Sequence, residues 1–257
     1  MKDLSRKIHS NKTILTKEEF YKINETAANE MASNEPLQQK ARDVLIEADK
    51  YRWVHQNSWL GEPVLNLPQD MFALQEIIWQ TKPDYIIEVG VAWGGGLLFN
   101  ATLLEITNGK KAIGVDIFIP EDLQQRLTKH SKLSNRLELI NGPSTSKETI
   151  DKIKHIVGNN KKIIVILDSF HTEQHVLEEL ELYSPFVGEG FYLICGDTII
   201  DKIPVQKHRT RPWHPGNNPA TALKKFLAEN RRFVVDDKID QRLLISCHPG
   251  GYLKALE

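Results

Sequence analysis

The chain has few cysteines, no long apolar run and no excess of either charge, and each shortage closes off a class of protein. Only Cys195 and Cys247 occur. Each lies in an apolar run that reads as a strand, which argues against a disulfide scaffold and for two buried thiols in a reducing, cytoplasmic setting. No window approaches the roughly 20 apolar residues of a membrane span. The opening MKDLSRKIHSNK mixes charges and lacks the apolar core of a secretory leader. Lys and Arg number 33 against 34 Asp and Glu, a net charge of -1, so no basic field draws the chain onto nucleic acid or anionic lipid. Internal repeats and low-complexity tracts are also missing. What remains is a globular protein whose partner is a small molecule. Its 257 residues suffice to bury roughly three quarters of the surface the unfolded chain exposes.

Residues 1–67 are polar, helical in places, and end in an aromatic cluster of Trp53, His55 and Trp59; they read as an arm or cap. From 68 to 257 short β-rich runs alternate with segments of helical period, the pattern of a parallel sheet. The expected strands are 85–90, 112–116, 137–140, 162–167 and 191–195. The expected helices are about 69–81, 95–107, 121–131, 146–157, 172–183 and 219–230, the first introduced by Pro68. The closing runs RFVVDD and RLLISCH, joined by KIDQ, are expected to form an antiparallel hairpin. This is an α/β plan, by analogy the Rossmann-like seven-stranded sheet of S-adenosylmethionine-dependent methyltransferases with an N-terminal helical cap. The irregular loop IPVQKHRTRPWHPGNNPA interrupts it, and loops of that length are usually functional or mobile.

The chemistry gathers at strand ends. IIEVGVAWGGG ends a buried strand on Glu88 and follows it with Gly90, Gly94, Gly95 and Gly96, where a ligand can approach the main chain. The spacing is E-x-G-x-x-x-G, without the G-x-G-x-x-G that seats a pyrophosphate. A cationic sulfonium and a ribose suit it better: Glu88 supplies an acceptor and a complementary charge, and Asp116, ending the next strand, supplies oxygens for ribose hydroxyls. In NGPSTS, Ser144 is a candidate donor to an adenine, while Ser146 reads as a helix cap. Asp168 and Asp197 end the fourth and fifth strands, where two carboxylates can share a hard cation such as magnesium; Asp168 equally suits a helix cap. His171 stands three residues beyond Asp168 and is a candidate base for an acceptor hydroxyl, whereas His175, one turn later, fits a structural bond better. In the 203–218 loop, Arg209, Arg211, Trp213 and His214 either contact a polar ring such as a sugar or are simply solvated. Trp53 and Trp59 serve the core, an acceptor pocket or a subunit interface.

With these residues in view, the chain resembles the cephalosporin hydroxylase / rhamnosyl O-methyltransferase family of class I S-adenosylmethionine-dependent methyltransferases over about residues 51–254. SWLGEP, LPQDMFALQEII, IIEVGVAWGGG, GVDI, LDSFHTEQHVLEELELYSPFV, GDTIID, NPATALKKFL and HPGGYLK carry the resemblance. It implies methyl transfer, with Glu88, Gly90 and Asp116 in the cofactor site and Asp168 and Asp197 binding magnesium. No iron-binding His-x-Asp pattern of an oxygenase is present. It also implies a sugar hydroxyl of a glycan or natural product as acceptor, and a homo-oligomer is expected. Family members often carry a Glu-Asp pair at the fifth strand end, and here the pair reads Gly196-Asp197; Thr198 or water would fill the missing position. The more distantly similar catechol-type enzymes place a Lys three residues after the metal-binding Asp, where this chain has His171. Two rivals stand beside this reading. One is a non-catalytic cofactor-binding or assembly protein with a degenerate metal site; the other is a nicotinamide-dependent oxidoreductase, which the missing glycine pattern disfavours.

Overall fold

The computed structural model describes residues 15–256. The opening segment MKDLSRKIHSNK, read above for a leader, lies outside the described residues. The chain begins with two helices, α1 (Lys17–Ala32) and α2 (Glu35–Asp49). Each is started by a side chain that accepts a backbone N–H, Thr16 with a reciprocal Glu19 for α1 and Asn34 for α2. A small hairpin follows, β1 (Asn57–Trp59) and β2 (Glu62–Val64). It turns through Leu60 and Gly61, both at positive φ.

From there strand and helix alternate: α3 (Pro68–Thr81), β3 (Tyr85–Val89), α4 (Gly95–Thr107), β4 (Lys111–Asp116), α5 (Glu121–Thr128), β5 (Leu137–Asn141), α6 (Lys147–Val157), β6 (Ile163–Leu167), α7 (Glu173–Tyr183), β7 (Tyr192–Cys195) and α8 (Pro219–Glu229). The last elements are β8 (Phe233–Val235), α9 (Asp237–Asp240) and β9 (Tyr252–Ala255). The main sheet runs β5-β4-β3-β6-β7-β9-β8, with β9 antiparallel to both neighbours. Its central strands are apolar apart from Glu88 and the half-buried Tyr85 in β3, because helices cover both faces. Ile87, Val89, Val165 and Leu167 pack toward α6, α7 and α8, whereas Ile86 and Ile164 pack toward α3, α4 and α5. Val89 pairs with Leu167 and Leu167 with Cys195. That level register delivers Gly90, Asp168 and Gly196 to a single edge.

The terminal hairpin departs from expectation. β8 pairs with β9 at 252–255 rather than with residues 242–248, and KIDQ lies partly in α9. The run RLLISCH forms no strand because a buried carboxylate takes the place of a ladder. Asp70 of α3 accepts from Ser246 Oγ at 2.6 Å, Cys247 N at 2.8 Å and Tyr252 OH at 2.8 Å. Cys247 is therefore buried outside any strand, while Cys195 is buried within β7; both thiols are free.

Candidate active site

A cavity of about 360 Å³ opens at the carboxyl edge of the sheet. On one side stand Glu88, Gly90, Gly96 and Asn100; in the middle Asp168, His171 and Asp197; on the far side Asp49 and His55 of the arm with Arg209, Arg211 and Trp213 of the long loop.

Glu88 ends in the buried part of β3, and its Oε2 accepts a 2.7 Å hydrogen bond from Asn100 Nδ2. Burial, helped by Asp116 and opposed by Asn100, pushes its carboxyl up to about 8. The group is therefore neutral at neutral pH, and a cation beside it would draw out its charge. Gly90 sits at φ 98°, and a Cβ there would run into the Asp168 carbonyl, so only glycine lets the two central strand ends approach. Gly94 and Gly95, expected in the cofactor site, do not line the cavity. A Cβ on Gly94 would meet Leu123 of α5, and one on Gly95 would meet the Pro63 carbonyl of β2. Both serve close packing, and Gly96 is the helical glycine on the cavity wall. Asp116 shapes the turn: its Oδ2 accepts from Val91 N at 2.9 Å and Ala92 N at 3.2 Å, and its Oδ1 from Phe118 N at 3.1 Å.

Ser144 is not a cavity donor. Its buried hydroxyl donates to Glu179 Oε1 at 2.5 Å, because the turn after the edge strand β5 packs against α7. Ser146 does cap α6, accepting from Thr149 N at 3.2 Å. Glu179 also receives Ser169 Oγ at 2.6 Å and lies 3.0 Å from His175 Nε2, whose pKa is raised chiefly by that bond. His175 thus has a structural bond. Spacing does signal Glu179: it shares the inward face of α7 with Val176, Leu180 and Tyr183, all buried. Glu179→Ala is expected to cost about 3–5 kcal/mol by stranding these partners, against under about 0.5 kcal/mol for the exposed neighbour Glu178→Ala. Urea unfolding of the two variants compares them.

Asp168, His171 and Asp197 each present a ligand atom, all within 4.8 Å of one another. His171 Nε2 lies 3.4 Å from Asp197 Oδ2. Burial first, then Asp197, holds the Asp168 carboxyl well above the usual carboxylate range. Burial holds His171 below its usual value against the pull of Asp197 and Glu179. A divalent cation fits this donor set, since it would neutralise a carboxylate pair that otherwise repels in a low dielectric. Asp197 takes a left-handed backbone at φ 52°, held by a 3.0 Å bond from its N–H to His248 Nδ1. Thr198 does not fill the position left by Gly196: it is buried off the cavity and donates to the Pro249 carbonyl at 2.8 Å.

The long loop folds over this cluster. Trp213 meets His171 edge-on at 4.9 Å and Phe170 at 5.5 Å, and the Arg211 guanidinium lies 5.1 Å over the indole. His214 turns away, with Nδ1 2.8 Å from the Pro215 carbonyl. Asp49 of α2 ties the loop down through Arg209 and, at 2.7 Å, His208. Trp59 donates to Thr102 at 3.1 Å and meets Phe99 edge-on, and Trp53 packs with Leu45, Leu67 and Cys247, so both tryptophans pack within the fold. Sequence reasoning missed Asn100 and Asp49. Asn100 was detectable as the polar residue within the apolar run LLFNA that opens α4; Asp49 left no local signal.

Residues 51–256 match the family model described as Rhamnosyl O-methyltransferase/CmcI. The rhamnosyl O-methyltransferase of Mycobacterium leprae is 30% identical over 168 residues, covering 62% of this chain and 71% of its own length. That of Mycobacterium bovis is 26% identical, covering 62% and 66%. A solved structure of CmcI with Mg and SAM aligns with a TM-score of 0.54 at 18% identity, over 79% of this chain and 78% of its own. An O-methyltransferase from Bacillus cereus in complex with SAH aligns at 0.52 and 14%, over 77% and 81%. At those identities the structural likeness is one of fold. With the family model spanning most of the sequence, the chain belongs to the rhamnosyl O-methyltransferase/CmcI family of S-adenosylmethionine-dependent O-methyltransferases.

Proposed function

We propose that the chain moves the methyl group of S-adenosylmethionine to a hydroxyl of a sugar or sugar-bearing acceptor, with a divalent cation, magnesium by preference, at Asp168 and Asp197. The observation that carries this is the meeting of two half-sites in one cavity: the Glu88–Gly90 turn, and the acidic pair with His171 beside it. S-adenosylmethionine supplies the electrophilic methyl, and the cation supplies polarisation of the acceptor oxygen. The chain's own residues do the rest. Glu88 offers a carboxylate to the positive cofactor. Gly90 and Gly96 leave the main chain open to it. Asp168 and Asp197 set the acceptor's position through their charge. As the acceptor oxygen bonds to the methyl carbon and the sulfur–carbon bond breaks, the hydroxyl proton passes to His171 Nε2, whose lowered pKa keeps it free to accept. Trp213 and the arm residues Asp49 and His55 wall the acceptor side and exclude water, so most of the rate comes from alignment.

Calorimetric titration with S-adenosylmethionine, with and without magnesium, tests the reading before an acceptor is in hand. Micromolar cofactor binding is expected in the native protein. Asp168→Asn and Asp197→Asn should each retain that binding while weakening magnesium binding at least tenfold. Cofactor binding absent in both conditions would remove the proposal.

A further inference from the structure

The fixed charges of the cavity leave one cation unanswered. Its wall carries the carboxylates of Asp49, Glu88, Asp168 and Asp197 and the guanidiniums of Arg209 and Arg211. Asp49 is answered by Arg209 and His208. On the methyl-transfer reading, on which this inference rests, Asp168 and Asp197 are answered by a divalent cation, and an ionised Glu88 by the net positive cofactor. Arg211 remains. Among the described residues no carboxylate or carbonyl engages its guanidinium, whose recorded contact is the face of Trp213 at 5.1 Å. That indole also meets His171 at 4.9 Å. Guanidinium and imidazole thus both contact one aromatic ring, with Asp197 3.4 Å from His171 Nε2.

Arginine suits such a place. Its planar, weakly hydrated head stacks on an aromatic face while its edge remains free for two parallel hydrogen bonds to a carboxylate. The Arg211 side chain is exposed, so water solvates that edge until an acceptor carboxylate takes its place.

We propose that the acceptor is an acidic sugar whose single carboxylate is bound by Arg211, placing a hydroxyl of the same ring against Asp168, His171 and Asp197. Arg211 is then the residue that selects uronates over neutral sugars.

The test uses the full chain loaded with S-adenosylhomocysteine and magnesium, titrated with matched methyl glycosides: glucoside against glucuronide and galactoside against galacturonide, with glucose 1-phosphate as a second anion. Each pair is also assayed for transfer of a labelled methyl group. At least one uronide is expected to bind tenfold to a hundredfold tighter than its neutral partner. Arg211→Gln should erase that preference while leaving S-adenosylhomocysteine affinity unchanged, and Arg211→Lys should restore part of it. If neither uronide outbinds its neutral partner, or if Arg211→Gln keeps the preference, the proposal is overturned. Tighter binding of the phosphate than of either uronide would overturn the carboxylate assignment. Failure of S-adenosylhomocysteine itself to bind would strike the methyl-transfer reading instead, so the two failures are distinguishable.

Discussion

Gly196→Ala is expected to cost the protein about 1–3 kcal/mol of stability and to weaken magnesium binding roughly tenfold to a hundredfold. The added Cβ would stand 2.5 Å from Asp168 Oδ1 and 2.9 Å from the Leu167 carbonyl. That carbonyl already accepts the Gly196 N–H at 2.8 Å, the bond that joins the ends of β6 and β7. Either this bond lengthens or the Asp168 carboxylate swings away from Asp197. Gly196→Glu, which restores the acidic pair that the family resemblance leads one to expect, carries the same Cβ and should fare no better. Thermal unfolding and magnesium calorimetry on the three proteins decide it. A Gly196→Glu variant that binds magnesium more tightly than the native chain would show that Gly196 is merely a lost ligand. The expected result makes the glycine a condition for Asp168 to occupy its place.

Glu88→Gln is expected to exchange cofactor binding for stability. The folded-state pKa of Glu88 is raised to about 8 from 4.5, so the unfolded chain loses this proton first as pH rises. The group's contribution to stability is complete below about pH 4.5 and lost as pH climbs through 8. At about 1.36 kcal/mol per pH unit, the full swing is on the order of 5 kcal/mol. Glutamine keeps a carbonyl for Asn100 and never ionises. Without cofactor, the variant should therefore match the native protein in acid and exceed its unfolding temperature clearly at pH 8–9. Its affinity for S-adenosylmethionine should fall at least tenfold, through loss of a charged partner. In the native protein, cofactor affinity should gain about tenfold per pH unit up to about pH 8, where deprotonation of Glu88 ceases to oppose binding. A native unfolding temperature that does not decline between pH 6 and 9 relative to the variant would show that Glu88 is already ionised.

Much of this site was visible before any coordinates. Glu88, Gly90, Asp168, His171 and Asp197, singled out for their places at or just past strand ends, all line the cavity, because a residue that ends a parallel strand reaches the ligand edge whenever the strands share a register. Ser144 and Thr198 were misplaced for a common reason. Each follows a strand end by a few residues, and over that distance the chain can turn its side chain either way; Glu179 and the Pro249 carbonyl took the two hydroxyls. The hairpin error has a similar origin. RLLISCH has the composition of a strand, but Asp70, far off in sequence, satisfies its polar groups.

Apolar period, turn residues and the carboxylates at strand ends are local properties, and by themselves they determined the parallel sheet, its helices and the edge where chemistry occurs. Tertiary structure alone decided the protonation of Glu88, the need for glycine at 196, the Asp49 tie across the long loop and the unanswered charge of Arg211. These depend on burial and on proximity between residues distant in the chain, and a linear pattern encodes neither.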